Sequence, residues 1–365
     1  MSALLVTGGA GFIGANFVRH WRARRPAETI VVLDALTYAG NRANLAGIAD
    51  VRFVHGDIRD QGLVETLLAE AALDTIVHFA AESHVDRSIH GPDVFVDTNI
   101  VGTHALLKAA RAVWLDRGSG RPHRFHHIST DEVYGSLGPD DPAFHELTPY
   151  APNSPYAASK AASDHLVRAY QRTFGLQATI SNCSNNFGPY QHPEKLIPLF
   201  LINALHGRAL PLYGDGGNVR DWLDVADHCA AIALILERGT PGETYNVGGG
   251  AELTNLEIVG RLCQAVDQAF AANPGLKRRF AAAPAASGAS SIGLLAGIAD
   301  RAGHDRRYAI DDGKIRRQLG YAPAGDFAAS LAATLAWYLA NEGWWRQVMS
   351  GEHQAWLTTN YATSR

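Results

Sequence analysis

The chain has 365 residues, with 47% hydrophobic and 19% charged side chains and a formal charge of −4. That is enough for two domains, or one large fold with a lobe, in a composition that suits a globular protein. A slightly acidic chain with no long basic run argues against nucleic acid or an anionic membrane surface as the main partner.

No apolar run approaches the ~20 residues needed to span a bilayer. Ala3-Leu4-Leu5-Val6 enters a strand with no basic leader before it. Cys183, Cys229 and Cys263 lie far apart without CxxC spacing, as expected of buried, reduced thiols. Together these features point to the cytoplasm. His126 and His127 are neighbours on a strand and should face opposite sides of it, so no metal site is expected.

In chain order, Leu4-Leu5-Val6-Thr7 reads as a strand. Gly8-Gly9-Ala10-Gly11-Phe12-Ile13-Gly14 reads as a turn, and Ala15 to about Arg24 as a helix. Gly8 permits the tight turn, Gly11 lets the backbone approach a pyrophosphate, and Gly14 lets helix pack on strand. The helix N-terminus then faces the phosphates. The second strand, Thr29–Leu33, ends at Asp34, 20 residues past Gly14 (34 − 14). An acid there suits a ribose 2′-hydroxyl and repels a 2′-phosphate, which favours NAD over NADP; the plainer reading is a turn residue. The next strand ends at Asp57-Ile58, placed to flank the adenine. The one after it, Thr75–Phe79, ends at Ala80-Ala81, small enough to let a dinucleotide cross the sheet. Glu82–Ser88 reads as a polar loop, and about Val94 to Val113 as a helix carrying Thr98.

Phe125–Ile128 reads as a further strand, followed by Ser129-Thr130-Asp131-Glu132-Val133-Tyr134-Gly135. A hydroxyl, two acids and a turn glycine build a poor core. Ligands of α/β sheets bind at the carboxyl ends of strands. Thr130, Asp131 and Glu132 are therefore read as an acid/base cluster, the alternative being caps on the next turn. Asn153-Ser154-Pro155 looks like a helix start, which puts Tyr156 and Lys160 at i and i+4 on one face. Taking an alcohol proton near neutral pH needs a tyrosine pKa about three units below ~10, or about 4 kcal/mol. One ammonium ~4 Å away, at an effective dielectric near 20, supplies about that much. Lys160 is thus expected to tune Tyr156 and hold the nicotinamide ribose. Thr130 is expected to bond the same substrate hydroxyl. Alternating strands and helices predict a Rossmann-type, doubly wound parallel sheet with a smaller C-terminal α/β substrate lobe. Residues 1–181 should form the NAD domain, with 222–248 returning to it. Residues 182–221 and 249–365 should form the lobe.

The Gly8/Gly11/Gly14 turn, Thr130 and the Tyr156/Lys160 pair resemble the extended short-chain dehydrogenase/reductase family. More closely, Ser129–Gly135 resembles its dTDP-glucose 4,6-dehydratase branch. So do Phe79–Ser88, Asn182–Tyr190, Pro193–Pro198 and Arg220–Leu223. Asp131-Glu132 is the specific part, because plain epimerases of the family lack it. The resemblance implies a lyase with bound NAD, in which Tyr156 takes the sugar 4-hydroxyl proton. Glu132 removes the C5 proton, and Asp131 protonates the departing C6 hydroxyl. It implies cofactor contacts at Gly8, Gly11, Phe12, Ile13, Gly14, Asp34, Leu36, Thr37, Asp57, Ile58, Ala80, Ala81, Thr98, Tyr156, Lys160 and Asn186. It implies dTDP-glucose contacts at Ser83, Thr130, Asn185, Lys195, Leu196, Pro211, Tyr213, Arg220, Asn255, Arg301 and His304. Lys195 and Arg220 supply cations for a diphosphate; without the motif they would read as surface groups. A homodimer is implied as well. The rival readings are an epimerase or decarboxylase of another nucleotide sugar, and an idle NAD-binding regulator.

Three residues depart from the family pattern: Ala302 replaces a usual proline, Asp224 an aromatic, and Phe187 a tyrosine. Lys277 to Ala299, rich in Ala, Gly and Ser, reads as a flexible surface insertion. Phe327 to Tyr338 reads as an amphipathic helix. The tail aromatics Trp337, Tyr338, Trp344 and Trp345 either pack on the lobe or mark a partner surface.

Overall fold

The computed structural model describes residues 3–118 and 122–349. Five strands come first: β1 Ala3–Thr7, β2 Thr29–Asp34, β3 Val51–His55, β4 Thr75–His78 and β5 Arg124–Thr130. β6 Ala178–Cys183, β7 Asn185–Phe187, β8 Leu210–Tyr213 and β9 Val219–Asp224 follow. β10 Thr244–Val247, β11 Glu252–Thr254 and β12 Leu295–Ile298 complete the set. Seven of them form one all-parallel sheet in the order β10-β6-β5-β4-β1-β2-β3. The strand order reverses at β1, which lies between β2 and β4. That reversal opens a crevice at their carboxyl ends.

Both faces of this sheet are buried, as parallel sheets require. Leu5, Val31 and Leu33 pack on one side with Leu106, Leu107 and Phe125. Leu4, Val6, Ile30 and Val32 pack on the other with Phe17, Trp21 and Ile232. The helix carrying Ile232, Val225–Arg238, begins at Asp224, whose Oδ1 accepts the Ala226 N–H at 2.7 Å. Capping explains an acid where the family more often has an aromatic.

The first helix starts at Phe12, three residues before the expected Ala15, because Gly11 already accepts the Ala15 N–H through its carbonyl at 3.0 Å. Phe12, Ile13 and Gly14 thus belong to its first turn, whose N–H groups have no intrahelical partner. The segment expected as a loop, Glu82–Ser88, contains a short helix, Val85–His90, begun by His84. The helix expected over Val94–Val113 spans 93–116 and widens into i→i+5 turns at Val96–Gly102 and Ala112–Asp116. The first widened turn carries Thr98 and buried Asn99, whose side chain bonds both Glu82 N and Glu82 O.

The lobe holds a sheet in the order β11-β9-β7 and a parallel pair, β12-β8. Its core runs from Phe187 and the Leu196–Leu205 helix through Trp222 to Tyr338 and Trp345. Phe187 packs on Trp222 and Phe327 with 1% exposure, leaving no solvent for the hydroxyl of the usual tyrosine. The expectation of a flexible insertion at 277–299 is overturned. Phe280, Ala283 and Ala285 are buried in the lobe core, and Leu295–Ile298 pairs along β8. Asp267 fixes the middle of the segment by accepting from the Ser291 N–H and from the Ser290 and Ser291 hydroxyls. Alanine-rich composition misled because these alanines fill the core. The tail aromatics also pack inward: Trp345 is 2% exposed, and Trp337 and Trp344 enclose Tyr190. Few polar residues interrupt the Phe327–Ala340 helix, so it is more uniformly apolar than the amphipathic reading supposed.

Candidate active site

A cleft of roughly 360 Å³ lies over the crevice at β1. Gly8 adopts φ +68°, and a Cβ there would stand 2.6 Å from Ala80 N. A Cβ on Gly14 would stand 2.3 Å from Gly8 O, so this glycine lets the helix close on the turn itself. Asp34 ends β2 at 8% exposure and accepts the Ala10 and Leu36 N–H groups at 2.9 and 2.8 Å. Burial, opposed by those two bonds, raises its carboxyl above the usual range. All the expected cofactor residues line the cleft except Leu36, which packs with the core beside it.

The turn is braced from the far end of the chain. Asn44, 1% exposed, donates to Ala10 O at 2.9 Å and accepts the Trp344 indole N–H at 2.7 Å. Trp344, Asn44, Ala10 and Asp34 thus form one line of hydrogen bonds from the last described helix, Glu342–Val348, to the carboxylate at the end of β2. Nothing in the tail sequence signals this contact, which spans 300 residues.

The Thr130–Glu132 cluster stands at the end of β5, which runs two residues past the expected Ile128. Thr130 is its last residue, and Asp131–Tyr134 forms a single 3₁₀ turn. Ser154 caps the Pro155–Phe174 helix through the Ala157 N–H, fixing where Tyr156 and Lys160 emerge. Thr130 Oγ1 donates to Asp131 Oδ1 and accepts the Glu132 N–H, each at 3.3 Å.

The two acids have unlike surroundings. Asp131 is 1% exposed, and its Oδ2 has no hydrogen-bond partner. Burial, then the charges of Glu132 and Asp221, hold it well above the usual carboxylate range. Burial raises Glu132 too, but Arg220, Lys195 and Arg301 oppose that rise. One site therefore holds two adjacent carboxyl groups whose surroundings push them apart, Asp131 further toward its acid form and Glu132 drawn back toward its carboxylate by three cations, the difference that elimination calls for.

The tuning expected of Lys160 is not what the chain alone provides. The Lys160 ammonium donates to Ile128 O at 2.8 Å and lies 3.4 Å from His127 Nε2. Burial brings it down to about 8, against the charge of Asp164. Tyr156 is pushed well above its ordinary value by burial and by Glu132. Burial outweighs the lysine because the ammonium points to the strand backbone.

A second cavity, roughly 180 Å³, adjoins the first at Ser83, Glu132, Asn185 and Lys195. Leu196, Pro211, Tyr213, Arg220, Asn255, Arg301 and His304 complete the expected substrate set around it. Lys195 donates to Ser83 O at 3.0 Å, and Arg220 to Asp305 O at 2.9 Å over the Tyr308 ring. Arg301 pairs with Asp86 at 3.2 Å. His304 takes Asp300 on Nδ1 at 2.6 Å, and burial brings it down to about 4, leaving a neutral ring with an unpartnered Nε2. The Ala302 replacement does not displace its neighbours from the cavity.

Sequence reasoning missed Tyr38, Glu82 and Glu194. Arg87 lies 4.2 Å over the Tyr38 ring and donates to Glu194 at 3.1 Å, joining the two cavities. An acid beside Lys195 was the available signal for Glu194. Asp221, beside Arg220, was also overlooked; its oxygens accept the Gly249 and Ala251 N–H groups at 2.9 and 2.7 Å. The three cysteines are buried and free. Among the described residues no cluster of three His, Cys, Asp or Glu is placed to hold a metal ion, and no helix is long and apolar enough to cross a membrane.

Comparison with known proteins agrees with this geometry. Residues 5–334 match the family described as GDP-mannose 4,6 dehydratase. The chain is 52% identical to a dTDP-glucose 4,6-dehydratase of Xanthomonas campestris pv. campestris, covering 97% of this chain and 98% of the relative. It is 48% identical to dTDP-glucose 4,6-dehydratase 1 of Escherichia coli K12, covering 98% of each. The dTDP-glucose 4,6-dehydratase of Streptomyces venezuelae, crystallised with NAD bound, superposes with a TM-score of 0.84 at 52% identity, over 95% of this chain and 99% of that one. The NAD complex of Thermus thermophilus UDP-glucose 4-epimerase gives 0.79 at 28% identity, over 93% and 99%. On these matches and on the paired acids at Asp131 and Glu132, the chain belongs to the nucleotide-sugar 4,6-dehydratase family of extended short-chain dehydrogenases/reductases, on the branch of the dTDP-glucose 4,6-dehydratases.

Proposed function

We propose that the protein converts dTDP-glucose to dTDP-4-dehydro-6-deoxyglucose with a tightly held NAD, a step of deoxysugar biosynthesis. The observation that carries this reading is the pair Asp131 and Glu132, held in unlike environments beside Thr130 and Tyr156. The glycine cradle, the open first turn at Phe12 and the Asp34 carboxylate fit a dinucleotide. When bound there, NAD would supply the hydride chemistry between C4 and C6, and its positive charge would favour the tyrosinate of Tyr156.

The remaining chemistry falls to the chain. Tyr156 takes the proton of the 4-hydroxyl, which Thr130 orients. Lys160 holds the nicotinamide ribose. The 4-ketone acidifies C5, whose proton goes to Glu132 under the field of Arg220, Lys195 and Arg301. Asp131, whose carboxyl burial holds well above the usual range, gives its proton to O6, so that water leaves. Lys195, Arg220 and Arg301 also supply the positive charge that a diphosphate needs. The half-buried Pro211 and Tyr213 form a wall for the base, and Asn185, Asn255 and His304 add polar contacts.

The NAD domain is assigned to 1–181 with the helix and strand within 222–248, and the lobe to the remainder. A homodimer is proposed on the exposed apolar residues Val96 and Val101 of helix 93–116, a face open to a second copy. Buried free thiols suit a reducing cytoplasm. The test is mass spectrometry of dTDP-glucose incubated with the purified protein without added NAD, beside UDP-glucose. Loss of one water from dTDP-glucose is expected. No loss, even with NAD added, refutes the reading and favours an epimerase.

A further inference from the structure

The helix that carries Tyr156 and Lys160 continues their spacing. Tyr156, Lys160, Asp164 and Arg168 stand four residues apart on Pro155–Phe174 and share one face. Binding and chemistry use only the first two. Asp164 is 0% exposed, as is His127 on β5, and Lys160 is 4% exposed. A carboxyl buried this deeply, away from both cavities, needs compensation from its surroundings.

The contacts show where that compensation comes from. His127 Nε2 lies 3.4 Å from the Lys160 ammonium and 3.2 Å from Asp164 Oδ1, so the ammonium and the carboxyl meet at one ring nitrogen. Asp164 Oδ2 accepts the Ser129 and Tyr150 hydroxyls, both at 2.8 Å. The Tyr150 oxygen already accepts N–H groups of Arg168 at 2.8 Å and Asn182 at 3.2 Å. Its lone pairs are used, and its one proton goes to Asp164. Two O–H donors on one oxygen favour the ionised carboxylate. Asp164 Oδ1 has no hydrogen-bond partner, which leaves its charge directed at His127 and the lysine beyond it.

The other ionisable groups packed here are Tyr156, His78 on β4, His127 and Cys183 on β6 around Lys160. Around Asp164 they are Arg168, Tyr150 and Tyr134. Burial pushes the two histidines down and the thiol and the three tyrosines up, toward their neutral forms. Burial also raises Asp164, opposed first by Lys160, then by the Ser129 and Tyr150 hydroxyls and Arg168. Among these groups Asp164 is the one anion set against the lysine.

We propose that Asp164, acting through His127, is the positioning residue that keeps Lys160 an ammonium at the end of β5. The inference rests on the dehydratase reading, in which that ammonium holds the nicotinamide ribose beside Tyr156. A neutral lysine would grip the ribose less and leave the tyrosinate without a neighbouring cation.

The test is the pH profile of kcat for the NAD-loaded protein with dTDP-glucose. Burial brings Lys160 down to about 8 against the charge of Asp164. A group required as a cation loses its contribution as pH rises through that value, so wild-type kcat should fall above about pH 8. Asp164→Asn keeps the shape and an oxygen for Ser129 and Tyr150 but removes the charge. Its alkaline limb should move down by about one pH unit or more, the usual effect of losing one nearby opposite charge. Below that limb kcat should climb back toward wild type, because the lysine is charged again. KM for dTDP-glucose should hold, because Asp164 lines neither cavity. His127→Phe keeps a ring against His78 and removes the shared nitrogen, and its limb should also move down. A limb at the wild-type position in Asp164→Asn, with kcat lowered equally at every pH, would reduce the residue to packing and overturn the proposal. An unshifted limb in His127→Phe would overturn it too, even where the asparagine variant does not fold. Absence of water loss in wild type would instead sink the dehydratase reading, so the two failures are distinct.

Discussion

Trp344→Phe is expected to loosen the cofactor without touching the cleft. The substitution keeps an aromatic ring against Tyr190 and Trp337 but removes the indole N–H that lies 2.7 Å from Asn44 Oδ1. Asn44 is 1% exposed, so its oxygen loses its partner out of reach of bulk water. An orphaned buried acceptor costs about 1–3 kcal/mol. If Asn44 turns over to relieve this, Ala10 O loses the amide donor instead and keeps only the Asn41 N–H at 3.0 Å. Taking about 2 kcal/mol, the melting temperature of a 365-residue chain falls by only about 3 °C, at ~2.1 cal/mol/K per residue. The same energy expressed in cofactor binding is about 30-fold. NAD release is therefore the sensitive readout. The assay is NAD retained through gel filtration, with the release rate followed by fluorescence. An unchanged release rate in a folded variant would refute the idea that the Glu342–Val348 helix braces the glycine turn.

Glu132→Gln should retain C4 oxidation, seen as reduced-nicotinamide absorbance. It should lose C5 exchange with deuterated solvent by about 10²–10⁴-fold, and wild-type exchange measured by NMR would remove Glu132 as the base. Asp131→Asn should abolish water loss yet stabilise the fold, because the native carboxyl is held above its ordinary value. Such a group contributes stability fully below its unfolded pKa of ~3.9 and loses it as pH rises toward the native value. The gain in melting temperature over wild type should thus grow as pH rises above ~4; a gain independent of pH contradicts the assignment. Gly8→Ala should cost roughly 1–2 kcal/mol for the left-handed backbone alone. A further cost follows because the added Cβ would lie 2.6 Å from Ala80 N; full NAD content and an unchanged melting temperature would count against the cradle.

Most of the site could be read from the sequence because it is built from local motifs. The glycine turn, the strand end at Asp34, the Thr130–Glu132 run and the i, i+4 pair at Tyr156 are each set by neighbours within a few residues. What was not legible depends on contacts distant in sequence. Composition could not show that Ala283 and Ala285 fill a core, since alanine is equally at home in a linker. Spacing placed Tyr156 and Lys160 on one helix face, but not the direction of the ammonium, which the Ile128 carbonyl decides. Asp221 and Trp344 carry no motif that distinguishes them from ordinary core residues. Their roles appear only when β9 meets the Gly249–Ala251 turn and when the last helix meets Asn44.

The position of β10 bears on how the protein is made. This outer strand of the main sheet is encoded after β7, β8 and β9 of the lobe, and it pairs with β6 through Tyr245–Ser181 and Val247–Cys183. On the ribosome, β6 therefore keeps an open edge until residue 247 has cleared the exit tunnel. During that interval Ala178–Cys183 offers unpaired backbone groups to any neighbouring strand. A nascent chain stalled before Thr244 is thus the form most prone to aggregate. A chain truncated after the first six strands would carry the same hazard permanently, so the lobe cannot be removed as a cassette without also supplying the strand that seals the sheet.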